Sequence, residues 1–248
     1  MNIFIFHRDL RLIDNTSLIK QIKEEKEITP IFIFDDKQIN KTKNDYFSNY
    51  SVQFMIESIK ELEQEIKEKN GELYYFKGNP LKILKNIKKE IEINSIGYNF
   101  DYSPYALQRD NEILEWCKKE NIKIICEEDY LLYNILDGQT KKKTTNTPYN
   151  VFTAFKNNCL TLKTREVDKT KKFTFKKYNN IKKIKESYKS TELDNLYIKN
   201  EKKNISGGRK NGLKILKNIS KFKDYSKKRD DLTYKTTFLG AHLKFNTV

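Results

Sequence analysis

The stretch NIFIFHRDLRLIDNTSL, residues 2–18, decides the fold. It opens with the apolar run Ile3 to Phe6, whose β-branched and aromatic residues are typical of a strand buried on both faces. A charged turn follows, and then Asp14 or Asn15 can cap a helix by accepting from its unpaired N–H groups. A strand, a polar loop and a helix in this order predict the start of a doubly wound α/β domain, in which ligands lie beyond the carboxyl ends of the strands.

The same alternation continues through the first 132 residues and predicts a five-stranded parallel sheet. Predicted strands are 3–6, 28–34, 73–76, 95–100 and 122–126, and predicted helices are 18–27, 48–69, 105–120 and one that Asn79 caps. Asn70-Gly71 is expected to end the second helix, with Gly71 in the left-handed position. Neither GxGxxG nor GxxxxGK[ST] follows a strand, which argues against an ordinary dinucleotide or P-loop site.

The rest of the chain divides into two further parts. Residues 133–204 are polar and Lys-rich and predict an interdomain linker, with a DNA-phosphate patch as the alternative for 163–204. Residues 205–248 predict the start of an all-α region, in which Ser206 caps an amphipathic helix. Its apolar face is expected to carry Leu213, Leu216, Ile219 and Phe222.

Composition limits the class of protein. The net charge is +15, which favours a nucleic-acid partner, although enrichment in Lys, Asn and Ile together also fits a general compositional bias. No apolar run approaches the roughly 20 residues of a membrane span. Three cysteines without CxxC spacing predict reduced thiols in an intracellular, soluble protein, either cytoplasmic or nuclear. The two scattered histidines predict no metal site.

Residues 6–18, FHRDLRLIDNTSL, closely resemble the opening of the DNA photolyase/cryptochrome family, usually FRRDLRLxDNxxL, with His7 in place of Arg. Other segments match the family in order: ITPIFIFD, LYYFKGNP, NFDYSPYALQRD, EEDYLL and TPYNVFTAF. In the last of these Ala154 replaces Pro. The SGGR segment at 206–209 resembles the entry to the family's helical flavin domain.

This resemblance implies light-driven repair of cyclobutane pyrimidine dimers in ultraviolet-damaged DNA by reduced FAD. Residues matching the family's FAD-contacting segments are Tyr225, Thr236, Thr237, Phe238, Leu239 and Gly240, the last in place of a Ser. Arg229 matches an Arg directed toward DNA. The resemblance also implies a light-harvesting antenna chromophore, for which Asp101 is the candidate ligand. Tyr105-Ala106 replaces the folate-type Asn-Glu pair and Ser51 replaces an Arg, so the identity of the antenna chromophore stays open.

The family's helical domain is far longer than residues 205–248, and the single Trp116 is expected to be a packing residue. We therefore expect the chain to be inactive alone and to hold FAD weakly or not at all. It is predicted to be either one half of a split photolyase, completed by a separate C-terminal polypeptide, or a truncated remnant. The alternatives are a non-catalytic α/β module that binds DNA, a nucleotide or a chromophore, and a fragment of a cryptochrome-like photoreceptor.

Overall fold

A six-stranded sheet, in the order β5-β4-β1-β2-β3-β6, forms the centre of the computed structural model, which describes residues 1–248. The strands are β1 (Asn2–Phe6), β2 (Thr29–Phe34), β3 (Tyr74–Lys77), β4 (Ser95–Phe100), β5 (Lys123–Glu128) and β6 (Ser187–Tyr188). Neighbours among the first five pair in parallel, which confirms the predicted parallel sheet and the α/β fold class.

The sixth strand corrects the predicted number of strands. β6 pairs antiparallel with β3, with Tyr188 opposite Tyr75 and Ser187 opposite Phe76. It comes from residues 133–204, where isolated apolar residues are too widely spaced to show a strand period. The same segment buries Phe173, Ile181 and Leu193. The assignment of the whole segment as an interdomain linker stays a prediction.

Helices cover both faces of the sheet. They are α1 (Thr16–Glu25), α2 (Asp36–Ile39), α3 (Asn49–Glu68), α4 (Pro80–Glu90), α5 (Pro104–Lys119), α6 (Phe152–Cys159), α7 (Arg209–Lys217), α8 (Tyr225–Lys228) and α9 (Gly240–Lys244). Of the two predicted caps for α1, the Asn15 side chain accepts from the backbone N–H of Leu18. Asn79 caps α4 as predicted. At the end of α3 the left-handed residue is Asn70, with φ 60°, and not Gly71.

Alternation along the strands sends side chains to two separate cores. Ile5 and Ile31 join a cluster with α4 and α5, whereas Phe4 and Phe32 join a cluster with α1 and α3. Trp116 lies in the first cluster and is buried, which confirms its packing role. Full burial of an Ile or Phe side chain contributes about 1.5–3 kcal/mol, so the strands supply much of the stability of the fold.

The loop after β1 is held by a buried polar network. The Asp9 carboxylate accepts from the backbone N–H of His7 at 2.8 Å and from the Asn99 side-chain amide at 2.7 Å. Asn15 also donates to Asp9, at 3.1 Å. Since Asn99 lies near the end of β4, this network joins the first loop to the neighbouring strand and fixes the carboxyl edge of the sheet.

Residues 205–248 pack on α3 through glycine. The predicted cap Ser206 is not the cap of α7; Gly208 is, with φ 97° in the left-handed region. A Cβ on Gly207 would lie 2.7 Å from the Ser58 hydroxyl of α3, so the chain approaches α3 too closely for a larger residue. The predicted amphipathic helix ends at Lys217, and a 3₁₀ turn follows at Ile219–Phe222.

Candidate functional site

A cavity of about 450 Å³ opens at the carboxyl edge of the parallel strands. Its polar lining comes from the loops after β1, β2 and β4, from α2 and α5 and from the chain's last helix; it includes His7, Arg8, Asp35, Lys37, Asp101, Tyr105, Arg109 and Lys244. Its apolar wall includes Val52 and Met55 of α3 and Phe245. The position matches the ligand site expected for a doubly wound sheet, and the volume lies within the about 300–1,000 Å³ of small-molecule pockets.

Arg8 and Asp101 form a bidentate ion pair on the wall of the cavity. Arg8 Nε donates to one carboxylate oxygen at 2.9 Å and Nη2 donates to the other at 3.2 Å. The Arg8 guanidinium also lies over the Tyr130 ring, 4.3 Å from its centre. Asp101, the antenna candidate from the sequence, therefore lies at the cavity, but with both of its oxygens already bonded.

Tyr105 and Asp35 form a second pair at the rim. The Tyr105 hydroxyl donates to the Asp35 carboxylate, and burial together with this hydrogen bond raises the pKa of Tyr105. The Lys37 ammonium lies 5.9 Å from the centre of the Tyr105 ring. Tyr105 and Ala106, which replace the folate-type pair, both line the cavity, as does Ser51.

Arg109, which lines the cavity, forms a buried pair with Asp110. Arg109 Nε donates to one Asp110 oxygen at 2.7 Å, and the two side chains are only 8% and 9% exposed. Arg109 Nη2 and the other Asp110 oxygen are buried without any hydrogen-bond partner. Burial raises the pKa of Asp110, although its bond from Arg109 opposes this.

His7, which stands in place of an Arg in the first loop of the family pattern, also lines the cavity. It stacks on Tyr98 with 6.1 Å between ring centres, and its Nε2 is buried without a partner. Burial, together with the charges of Arg109 and Arg8, holds the pKa of His7 well below its usual range. The imidazole is therefore neutral, and its Nε2 is enclosed by the protein without a hydrogen-bond partner.

The second arginine of the first loop anchors the end of the chain. Arg11 pairs with Asp129 at 2.9 Å, and it donates to the backbone carbonyl of Asn246 at 3.2 Å. The Asn246 side chain donates to Asp129 at 2.9 Å. Arg8 and Arg11 thus pair with distant carboxylates and not with the carboxylates of their own loop. These contacts hold Phe245 against the cavity.

The residues implied to contact FAD lie elsewhere. Tyr225 begins α8, Thr236, Thr237 and Phe238 precede α9, Leu239 is its N-cap and Gly240 its first residue. Phe238 has φ 52°, and the Thr237 hydroxyl accepts from the Leu239 N–H at 3.3 Å. None of them lines the 450 Å³ cavity. Their roles stay predictions.

Arg229, the implied DNA contact, is 58% exposed in its side chain and lies 3.9 Å from the Asp230 carboxylate. Its role also stays a prediction.

No group of three or more His, Cys, Asp or Glu residues is placed to hold a metal ion. No helix combines the length and apolarity that crossing a membrane requires.

Sequence reasoning missed most of the cavity. Arg109 sits inside the quoted segment NFDYSPYALQRD, yet nothing in that segment shows that its guanidinium lies at a cavity. Asp35 could have been predicted from the sequence to line the cavity, because a carboxylate immediately after a buried strand lies at the ligand edge of a parallel sheet. Lys244 and Phe245 reach the cavity only through the folding of the C-terminal segment.

Comparison with known proteins gives a consistent result. The family model for DNA photolyase matches residues 2–173. Cryptochrome-1 of Aedes aegypti is 30% identical over 139 residues, which cover 54% of this chain and 25% of that protein. The deoxyribodipyrimidine photo-lyase of a Synechococcus strain is 23% identical and covers 62% of this chain and 30% of that protein.

Solved structures cover the whole chain. An archaeal photolyase from Sulfolobus tokodaii, solved with two FAD molecules and implying a novel light-harvesting cofactor, matches with a TM-score of 0.83 and 31% identity. The match covers 100% of this chain and 53% of that one. A class III photolyase from Agrobacterium tumefaciens has the same fold, with a TM-score of 0.78 and 18% identity. The chain thus spans about half the length of these solved structures and a quarter to a third of those curated relatives.

Proposed function

The chain belongs to the DNA photolyase family, and from this premise we propose that it binds a light-absorbing chromophore in the 450 Å³ cavity. The observation that carries the proposal is the cavity itself, at the ligand edge of the sheet, with aromatic and apolar walls and charged side chains in its lining. A chromophore bound there would collect light and pass on its excitation energy.

The residues present fit such a group. A planar ring needs apolar walls, which Val52, Met55 and Phe245 offer, and polar partners at its edge, which Arg109 and His7 offer. The Sulfolobus tokodaii photolyase, which matches the full length of this chain, was solved with a second FAD. We therefore propose a flavin as the first chromophore to test.

We propose that light-driven repair of cyclobutane pyrimidine dimers, with reduced FAD, belongs to an assembly that includes this chain and a helical part beyond it. The Sulfolobus tokodaii photolyase has almost as much chain again outside the matched region. A separate polypeptide, as in a split enzyme, would be one source of that helical part. Ultraviolet-damaged DNA would be the substrate of the assembly.

The tail alone does not suit a tightly held catalytic FAD. Tyr225 and Phe238 are each 45% exposed, and a Cβ placed on Gly240 would meet nothing within 4 Å. Thr236, Thr237 and Leu239 can offer hydroxyl and backbone donors to a phosphate, but the described chain does not enclose a ring beside them. The catalytic flavin would need walls from the helical part.

The test of the proposal is a binding measurement on the purified chain. Titration with FAD and FMN, followed by flavin fluorescence, should show saturable binding of one flavin per chain. Replacing Met55, on the apolar wall, by Arg should abolish binding, while Lys20→Gln on an exposed ion pair should leave it unchanged. Absence of binding to any flavin, deazaflavin or folate would overturn the proposal.

A second measurement tests the assignment of repair. Under blue light, the chain with reduced FAD should leave a dimer-containing oligonucleotide unrepaired. Repair should begin only when a helical photolyase part is supplied as a second polypeptide, for example the half of the Sulfolobus tokodaii photolyase that this chain does not match. Repair by the chain alone would contradict the need for an assembly.

A further inference from the structure

The positive charge of the chain is confined to its second part. Residues 1–132 carry 20 Lys and Arg against 24 Asp and Glu, whereas residues 133–248 carry 29 against 10. The first part is therefore −4 and the second +19, which together give the net charge of +15. A general compositional bias would act on both parts alike, so it does not account for this difference. The excess charge lies on the segments that pack around the sheet.

The segment KKFTFKKY, residues 171–178, runs beside the start of β2. The Ile28 N–H, just before β2, donates to the Thr174 carbonyl at 3.1 Å, and the Lys176 N–H donates to the Ile28 carbonyl at 2.9 Å. The Thr29 hydroxyl also donates to the Lys176 carbonyl, at 3.0 Å. Since β1–β5 are parallel, this amino-terminal edge of the sheet is the edge opposite the cavity.

Aromatic side chains fix this segment on the protein. Phe173 is 9% exposed and stacks on Phe175, with 6.1 Å between ring centres. A Cβ on Gly71, just after α3, would lie 2.7 Å from the Phe175 ring, so the segment lies directly against the end of that helix. The backbone is thus already held in place, and a bound partner would not have to order it.

Five exposed lysines for which no ion pair is found meet at this edge. They form what we call the basic ridge and are Lys26, Lys69, Lys171, Lys172 and Lys177. Lys69 Nζ lies 3.5 Å from the carbonyl oxygen of Lys171 and 5.8 Å from the centre of the Phe173 ring, so the end of α3 adjoins the segment. Lys26 directly follows α1 and comes two residues before Ile28. The ridge therefore combines residues from three separate parts of the chain.

Most carboxylates next to the basic ridge are already paired with other lysines. These pairs are Glu27 with Lys176 at 2.7 Å, Glu72 with Lys182 at 2.6 Å, and Glu24 and Glu25 with Lys123 at 2.9 and 2.6 Å. Glu68 accepts from the Gln64 side-chain amide at 3.2 Å, and no ion pair is found for it. The ridge therefore keeps an excess of positive charge toward solvent.

The surface around the basic ridge is cationic without being apolar. No large hydrophobic side chain is exposed in residues 168–189, whereas Leu213, Ile219 and Leu243 of the C-terminal segment are 42%, 48% and 60% exposed. A membrane surface or a protein partner needs apolar contacts, and single-stranded nucleic acid needs exposed aromatic rings for stacking. The phosphates of a duplex need only cations at fixed positions.

We propose that the basic ridge binds the phosphate backbone of double-stranded DNA, without preference for base sequence or for a lesion. The choice of DNA rests on the proposed function, in which repair of DNA belongs to an assembly that includes this chain. The ridge lies at the edge of the sheet opposite the cavity and does not include Arg229, the contact implied by the family. Its lysines displace counterions and keep the assembly on undamaged DNA between lesions.

The experiment measures binding of the full chain to a short undamaged DNA duplex by fluorescence anisotropy at several salt concentrations. Three variants each remove three positive charges from exposed lysines for which no ion pair is found. The ridge variant is Lys171→Gln/Lys172→Gln/Lys177→Gln. The C-terminal variant is Lys214→Gln/Lys217→Gln/Lys221→Gln, and the control variant, on α4 and α5, is Lys85→Gln/Lys89→Gln/Lys119→Gln.

The ridge variant should weaken DNA binding by about tenfold to a hundredfold and lower the salt slope by about three, since each lost phosphate contact lowers the slope by about one. The C-terminal and control variants should stay within about threefold of wild type at about 0.1 M salt, where distant charges are screened. A duplex that contains a pyrimidine dimer should bind as tightly as the undamaged one. Circular dichroism and the thermal midpoint confirm that the variants are folded.

Several results would overturn the inference. Weakening by the C-terminal variant alone would assign DNA to α7, and equal weakening by all three variants would show that overall charge and not the ridge binds DNA. Absence of binding to DNA by the wild type, or tighter binding to duplex RNA, would also overturn it. So would binding to phosphatidylserine vesicles that the ridge variant loses while it keeps DNA.

Flavin titration of the wild type and the ridge variant separates this inference from the proposed function, because the cavity and the ridge lie at opposite edges of the sheet. If a chromophore binds and the ridge variant binds DNA as wild type does, only this inference fails. If the ridge variant loses DNA and no chromophore binds the wild type, only the proposed chromophore site fails.

Discussion

Several polar residues of this protein are buried, and their charge states affect the stability of the fold. Asp9, Arg11, Asp129 and His242 are each at most 5% exposed, and His7 keeps a buried nitrogen without a partner. Burial raises the pKa of Asp9 and lowers the pKa of His242. As the pH falls, the raised pKa of Asp9 favours the folded state, whereas the lowered pKa of His242 favours the unfolded state. Each effect can be measured by substituting the residue concerned.

The stability of the protein should fall as the pH drops from 7 to 5, partly because of His7. In the unfolded chain this imidazole takes up a proton near its ordinary pKa of about 6.5, whereas in the folded protein its pKa lies well below that value. The unfolded state then binds more protons, so lower pH favours unfolding. Urea unfolding at pH 5, 6 and 7 should show a flatter pH dependence for His7→Gln than for wild type. Equal slopes would contradict the shift.

The Arg11–Asp129 pair should be one of the most sensitive points in the fold. Its side chains are 5% and 0% exposed, and Asp129 also accepts from the Thr16 hydroxyl at 2.7 Å. Asp129→Ala leaves Arg11 charged and unpaired in the interior, and we expect a loss of about 3–5 kcal/mol in the free energy of unfolding.

The control for that prediction is Glu127→Gln. This substitution, two residues before Asp129, removes an exposed ion pair with Lys20. We expect less than about 1 kcal/mol there. Chemical denaturation measures both. An equal effect of the two substitutions would show that the buried network contributes no more than a surface pair.

At the scale of elements, helix α1 approaches the sheet most closely at Gly97 of β4. A Cβ on Gly97 of β4 would lie 2.8 Å from the Gln21 Cδ atom and 3.0 Å from Phe4. Gln21 cannot move away freely, because its side-chain amide donates to the Ile3 carbonyl at 3.0 Å and to the Ser95 hydroxyl at 3.0 Å. Helix α1 therefore has little freedom to shift relative to β4.

We expect Gly97→Ala to destabilise the protein by about 1–3 kcal/mol, the usual cost of overpacking. Gly240→Ala is the matched control, since an added methyl group there meets nothing within 4 Å and its φ is not left-handed. Thermal unfolding should separate the two substitutions clearly. A Gly97→Ala protein as stable as wild type would mean that α1 can shift on the sheet.

The C-terminal helix α9 depends on a similar contact. A Cβ on Gly212 of α7 would lie 2.8 Å from the buried His242 ring, whose Nδ1 is 2.8 Å from the Thr247 hydroxyl. Gly212→Ala should therefore loosen residues 240–248. Hydrogen exchange should show faster exchange in 240–248 and unchanged exchange in β1–β5. Uniform exchange across the chain would contradict a local effect.

At the scale of the whole molecule, the charge of +15 predicts association with DNA that depends on salt. Lysines that displace counterions from phosphates make the logarithm of the binding constant fall linearly with the logarithm of salt concentration. Fluorescence anisotropy with an undamaged duplex at several salt concentrations should show this decline without preference for sequence. Binding that persists at high salt would indicate a specific site instead.

Most of the architecture was determined by the sequence. The first strand, a helix cap at Asp14 or Asn15, the cap at Asn79 and the parallel pairing of five strands all follow from residues close together along the chain. Hydrophobic periodicity, helix capping and turn-forming residues each involve only a few neighbouring residues, so the sequence shows them directly. The family resemblance rests on the same local motifs, and the family match confirms it.

The tertiary structure alone decided the sixth strand, the partners of the charged residues and the composition of the cavity. Arg8 meets Asp101 93 residues away, and Arg11 meets Asp129 118 residues away. The buried Nη2 of Arg109 has no hydrogen-bond partner, and this follows from the packing around it and not from the segment that contains it. Pairing and burial across such separations depend on how helices and strands pack, and short-range patterns carry no record of that packing.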